Sequence, residues 1–293
     1  MKILRPLAIT PAMVTTNAAN ADADYAAGTT YADGGKATYS GRIWLSLQAA
    51  NTGHEPGASG SEAWWSDAGP SNKWAMFDDE LQSVTARANS ITVTVSPLNA
   101  DSIALLNVQA GEVTATSVYD GNEVFRETRS LWDSTIIADW ADYFFNPPEF
   151  RSEAVFLGLP PVPGQAVTVS IDAPGNTAQC GKAVFGKEVD VGLENVGLNR
   201  SGIDYSNVTF DEFGKASITR RAYVRKVTTQ TLINNGELGR IARRLDALAS
   251  VPVVVLSGQP RFDSTVVYGL MSYSVDVAMY SYSYVSFDVK GLV

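Results

Sequence analysis

The chain of 293 residues holds one cysteine, Cys180, and one histidine, His54. A lone cysteine cannot close an internal disulfide, and one His with one Cys cannot build a structural zinc site of the usual four-ligand kind. Any Ser-His-Asp or Cys-His mechanism would have to pass through His54. No catalytic residue, metal ligand or cofactor is therefore expected, and the chain reads as a non-enzyme. Charge is also scarce, at 18% of residues, and acids outnumber bases 31 to 22 for a net −9. A surface of that sign repels phosphate backbones, which argues against nucleic-acid binding. No apolar run approaches the roughly 18 residues that cross a bilayer, so no membrane span is expected. What is present is a chain about twice the usual single-domain length, 45% apolar and able to build packed cores.

The first residues, Met1-Lys2-Ile3-Leu4-Arg5, begin like a signal peptide, and Ala21-Asp22-Ala23 resembles a cleavage site. Pro6, Thr10, Pro11, Thr15 and Thr16 interrupt the apolar stretch that such a peptide needs. The segment reads instead as an extended arm or first strand.

Strand patterns dominate thereafter. Ser90 to Val95 alternates strictly, and Val113 to Tyr119 is rich in β-branched residues before an Asp120-Gly121-Asn122 turn. Gln165 to Ile171 alternates again. Strands punctuated by Gly, Pro, Asn and Asp at this rhythm predict an antiparallel sandwich or jelly roll. Ile136 to Phe145, with Trp140, Tyr143, Phe144 and Phe145 before Pro147-Pro148, reads as a short helix or packed loop. One helix is clear: Leu238, Ile241, Ala242, Leu245 and Leu248 make a single apolar stripe, with Asn234 or Asn235 as cap and Pro252 past the end. Arg240, Arg243 and Arg244 occupy its other face, as a solvated surface or a contact with an acidic neighbour. Flanking strands are expected from Thr219 to Leu232, Val251 to Leu256 and Val266 to Val289. In the last of these, Tyr280, Tyr282 and Tyr284 share one face, either as an inter-subunit strip or as packing for the helix.

The strongest local pattern lies near the front. Tyr25 and Gly28 are followed by Tyr31, Tyr39-Ser40-Gly41-Arg42-Ile43-Trp44, Asn51-Thr52-Gly53-His54-Glu55-Pro56-Gly57 and Trp64-Trp65. So many aromatics and glycines with so few aliphatics cannot bury much area in a segment this small. Flat aromatic faces suit pyranose rings, and rim polar groups can meet sugar hydroxyls. In order and spacing the segment resembles the small chitin- and cellulose-binding modules found on bacterial chitinases. That resemblance implies a mini-core of Tyr25, Tyr39 and Trp65. It implies a carbohydrate-binding face of Trp44, Trp64 and Tyr31, with His54 and Glu55 at the sugar edge. The alternative is that every one of these rings is core or subunit contact.

The run from Trp65 through Asn72, Trp74 and Phe77 to Asp78 resembles segments common in proteins of tailed bacteriophages. So do Gly202-Ile203-Asp204-Tyr205-Ser206, the stretch from Phe210 to Gly214, and Arg220-Arg221-Ala222. The resemblance implies a virion protein of the phage tail, a structural part of the tail tip or baseplate. Its partners would be other tail or baseplate proteins, further copies of itself as a homo-oligomer, and a host-surface glycan. The expected fold is mainly β. A carbohydrate-binding-like module (23–66) follows an N-terminal arm (1–22), then a β-sandwich or jelly roll (67–175) and an α+β assembly domain with one clear helix (176–293).

Two alternatives stay open: a purely structural ring or collar subunit, and a glycan-degrading hydrolase. The hydrolase would need carboxyls about 5–10 Å apart across a cleft, and Asp78, Asp79 and Glu80, or Asp120 and Glu123, are the candidates. Surface solvation accounts for them more simply. Gly175 to Lys182 mimics a phosphate loop but has Ala183 where Ser or Thr must hold magnesium. Cys180 reads as a small buried apolar residue.

Overall fold

The computed structural model describes residues 1–134, 137–194, 197–210, 212–257, 265–277 and 280–292. Ile136, Asp211, Ala278 and Met279, which belong to patterns noted above, lie outside the described residues. The fold is mainly β, with 54% of residues in strands. In chain order the first strands are β1 (Lys2–Pro6), β2 (Val14–Thr16), β3 (Lys36–Tyr39), β4 (Arg42–Ser46), β5 (Trp65–Pro70) and β6 (Thr85–Leu98). Then come β7 (Ser102–Gln109), β8 (Glu112–Tyr119), β9 (Asn122–Ser130), helix α1 (Trp140–Phe145), β10 (Glu153–Leu157) and β11 (Gln165–Asp190). The remainder is β12 (Leu193–Glu194), β13 (Asn199–Asp204), β14 (Asn207–Phe210), β15 (Ala216–Thr219) and β16 (Tyr223–Asn234). Helix α2 (Asn235–Asp246) precedes β17 (Val253–Leu256), β18 (Val267–Asp276) and β19 (Tyr282–Gly291).

The chain divides into two compact units, and their limits differ from a simple front-to-back division. One comprises Met1–Leu7, Asp101–Ile103 and Val184–Val293. Its sheet runs, in antiparallel pairs, from the end of β11 through β1, β17, β18 and β19 to β16, which also pairs β12 and β13. The apolar Ile3 and Leu4 are fully buried, so the segment that imitates a leader is an interior strand of this sheet. On one face, Val285, Phe287 and Val289 pack with Ile241 and Leu245 of α2 and with Leu248 in the turn after it. Asn234 caps the helix by accepting from Gly236 N at 2.9 Å. Arg240 and Arg243 stay exposed on the outer side, where Arg240 pairs with Glu237 at 3.0 Å. Because the odd positions of β19 face the helix, Tyr282 and Tyr284 face away from it and do not pack against it.

The other unit comprises Ala8–Ala100 and Ala104–Ala183. It is β-sandwich-like, with the order β2, β6, β11, β8, β9 fixed by antiparallel pairs. Ile91, Val93, Val95, Val113, Ala115, Val167, Val169 and Ile171 form its buried rows, as strict alternation requires. The boundary expected at Pro174-Gly175-Asn176 is instead a register shift between Ala173 and Thr177 inside the 26-residue strand β11. A proline and a glycine interrupt pairing there without ending the strand, the usual signature of a bulge.

Candidate functional site

The front segment folds as a three-stranded sheet of β3, β4 and β5, and β5 carries it past residue 66 to Pro70. The β3–β4 turn places Ser40 and Gly41 at positive φ, 51° and 80°. Gly41 is required on steric grounds as well, since a Cβ there would meet Trp74 Cγ at 2.8 Å. Over this sheet Trp65 is buried and meets Tyr31 edge-on at 5.0 Å and Tyr25 at 6.1 Å. Tyr25 in turn stacks with Tyr31 at 5.8 Å and meets Tyr39 edge-on at 5.7 Å. These offset and T-shaped contacts let a few large rings replace an aliphatic core.

Asn51 organises the neighbouring loop. It is fully buried, and its backbone exchanges hydrogen bonds with Tyr31, N to O at 3.1 Å and O from N at 2.9 Å. Its side-chain Nδ2 donates to Ser46 Oγ at 3.1 Å and to the Trp64 carbonyl at 3.3 Å. The amide oxygen therefore faces His54 Nδ1, at 3.1 Å, and accepts from it. That contact puts an N–H on Nδ1, directed at Asn51, with Nε2 at the far side of the ring. The imidazole lies flat on the Trp64 indole, with centroids 3.8 Å apart and planes 11° from parallel. The His54 carbonyl accepts from Trp65 Nε1 at 2.8 Å, which ties the same residue to the aromatic core. Beside it the Tyr39 hydroxyl donates to the exposed Glu55 carboxylate, and that bond holds the Tyr39 phenol above its ordinary pKa.

The expected sugar-contact residues thus separate into two groups. His54 and Trp64 come together, both half-buried, while the exposed Glu55 carboxylate is held by the Tyr39 hydroxyl. Tyr31 joins the ring cluster of Tyr25 and Trp65, and its hydroxyl accepts from Ala26 N at 2.9 Å. Trp44 is also half-buried: its Nε1 donates to the Tyr39 carbonyl at 3.3 Å, and a Cβ at Gly57 would touch its ring at 3.2 Å. One face of Trp44 is therefore covered by the Gly57 backbone, which only glycine at φ 76° leaves thin enough. Asn51 was not singled out from the sequence. The sole sign of it there is an Asn three residues before the histidine.

Two further aromatic surfaces lie elsewhere. Around α1, Trp140, Phe144 and Phe145 are 77%, 68% and 85% exposed, and Trp132 and Phe150 are also open. The helix is secured by Asp139, whose carboxylate accepts from Asp142 N at 2.9 Å, so its rings are displayed on an ordered turn. The β14–β15 hairpin is exposed along both strands.

Of the carboxylates considered for hydrolysis, Asp78 and Asp79 make loop contacts and Glu123 pairs with Arg126 at 2.6 Å. Asp78 accepts from Ser83 Oγ at 2.5 Å and from Glu80 N at 3.0 Å, and burial raises its pKa. The buried Lys182 donates to the Phe77 and Asp78 carbonyls and pairs with the exposed Asp79 at 3.3 Å. Lys182 thus anchors a turn. Burial pushes the Cys180 thiol up to about 12, so it remains a protonated apolar residue. No family model matches the chain, and no curated protein or solved structure does.

Proposed function

We propose that this chain is a structural, non-enzymatic component of a phage tail tip or baseplate. It assembles with copies of itself and with other tail proteins, and it carries a weak glycan-contact face on its front module. The observation that carries the assembly half is the concentration of open apolar side chains on two short segments, α1 and the β14–β15 hairpin. Scattered exposed rings are ordinary, whereas contiguous ones mark interaction surfaces. The glycan half is supported by the His54–Trp64 pair, a pre-stacked aromatic slab, and by the exposed Glu55 carboxylate. Such a slab needs no ordering when a pyranose ring arrives, which lowers the entropic cost of contact. Affinity per site would be weak, and repeated copies on one particle would supply avidity.

Retention of the full chain on insoluble chitin and on bacterial polysaccharides tests the glycan half. Trp64→Ala is expected to reduce retention about fivefold, corresponding to roughly 1 kcal/mol for one lost aromatic contact. Unchanged retention would remove the sugar role. What would then stand is a purely structural subunit, a reading favoured by the internal packing of Tyr31 and Trp44.

A further inference from the structure

The hairpin of β14 and β15 has two chemically distinct sides. Register pairs Val208 with Ile218 and Phe210 with Ala216, while Asn207 pairs with Thr219 and Thr209 with Ser217. Alternation therefore puts Val208, Phe210, Ala216 and Ile218 on one face and only hydroxyl and amide side chains on the other. Phe213 stands at the tip at 94% exposure, beside Glu212 and a Gly214 turn at φ 77°. A lone two-stranded hairpin is marginal in water, and an apolar face on it stabilises nothing until something covers it.

The same compact unit holds a matching recess. On the sheet face away from α2, Ile203, Leu270 and Ser272 line a groove of about 360 Å³, with Lys226, Asp288 and Lys290 along it; Met271 borders it but packs against the α2 core. Leu270 is 44% exposed although it sits in the middle of a paired strand. Lys226 is paired with Asp288 at 2.6 Å, whereas Lys290 lies over the Tyr205 ring at 5.5 Å. The groove sets apolar residues beside two lysines and one aspartate, and the hairpin is apolar with Glu212 and Lys215 in its turn. Tyr205 stands just before the hairpin, so the arm leaves the sheet at the border of the groove while its own apolar face stays open.

We propose that the hairpin of one copy lies in the groove of a second copy, its Val208–Phe210–Ile218 face on Leu270 and Ile203 and its Glu212 toward Lys290. This specifies the interface through which the self-assembly proposed above takes place, and it presupposes that reading. Each copy gives one arm and receives one: reciprocal exchange across a two-fold axis makes a closed dimer, and exchange in one direction closes a ring or extends a filament.

Thiol cross-linking between two full-length variants tests it. Cys180 is fully buried, so added thiols are the reactive ones. Phe213→Cys chains mixed with Leu270→Cys chains and a short bis-maleimide should give a cross-linked dimer that neither variant gives alone. Phe210→Ser combined with Ile218→Ser, both at open positions, should weaken self-association by on the order of a hundredfold, as expected for two buried large apolar side chains. Glu212→Lys should weaken it and Lys290→Glu in the same chain should restore it. If the chain self-associates but the mixed cross-link is missing, or Phe213→Cys chains link only to each other, the arm-in-groove contact is wrong and self-assembly survives. A chain that sediments as a monomer at every concentration overturns both.

Discussion

Two segments of this chain are almost equally rich in aromatic residues and put them to opposite use. In the front module, Tyr25, Tyr31, Tyr39 and Trp65 meet one another at 5.0–6.1 Å and form the interior. Around α1, Trp140 and Tyr143 lie 6.2 Å apart and Tyr143 and Phe144 5.1 Å, distances of the same size, yet the rings remain open. Ring-to-ring contact alone therefore does not make a core. The module closes because a sheet lies beneath its rings and a buried Asn51 joins two loops around them. Near α1 the Trp132–Phe150 bridge, the Arg151–Asp133 ion pair at 3.4 Å and a capped turn do the joining, and the rings of α1 stay in solvent. Apolar area removed from water stabilises the fold, and area left in water is kept for a partner.

Substitution separates the two most sharply. Trp65→Ala should cost roughly 3–5 kcal/mol, the range for emptying a large aromatic site, whereas Phe145→Ala should stay within about 0.5 kcal/mol. Urea unfolding of the full chain, followed by tryptophan fluorescence, measures both, and equal losses would break the contrast. A smaller effect isolates the polar frame of the module. Asn51→Ala should cost on the order of 1–3 kcal/mol, because its partners lose their bonds in a buried place. It should also lower glycan retention by freeing the His54 ring from its seat on Trp64. The smallest effect is electrostatic. Tyr39 has a pKa raised first by its hydrogen bond to Glu55, so that bond contributes fully below the unfolded phenol value and is lost as pH rises through the higher folded one. Glu55→Gln should move the phenolate absorbance transition down toward the ordinary value, and an unmoved transition would detach Glu55 from Tyr39.

Much of the strand content was legible because alternation is local. Ile91, Val93 and Val95, or Val167, Val169 and Ile171, reveal their buried face within a few residues. The α2 stripe was legible for the same reason, down to its Asn234 cap. The candidate site was legible as residue types only: the sequence names His54, Trp64, Glu55, Tyr31 and Trp44 alike, whereas their partners, Trp64 under His54 and Tyr25 and Trp65 around Tyr31, are set by the folded loops. Asn51 escaped notice because buried amides earn their role through partners, and Ser46 and the Trp64 carbonyl reach it only in the folded loop. Pro174-Gly175-Asn176 misled for the converse reason, since a bulge and a linker use the same residues.

The amino-acid order by itself determined the periods: which residues alternate, where the long helix begins and stops, which charges are scarce, and how aromatics are spaced. The tertiary structure alone decided which of those aromatics meet solvent. It also decided that Lys2–Pro6 lies between β11 and β17, and that Lys182 anchors the turn at Asp78. The reason is physical. Period is a property of neighbouring residues along the chain, whereas exposure depends on what distant strands bring to the other side of a ring.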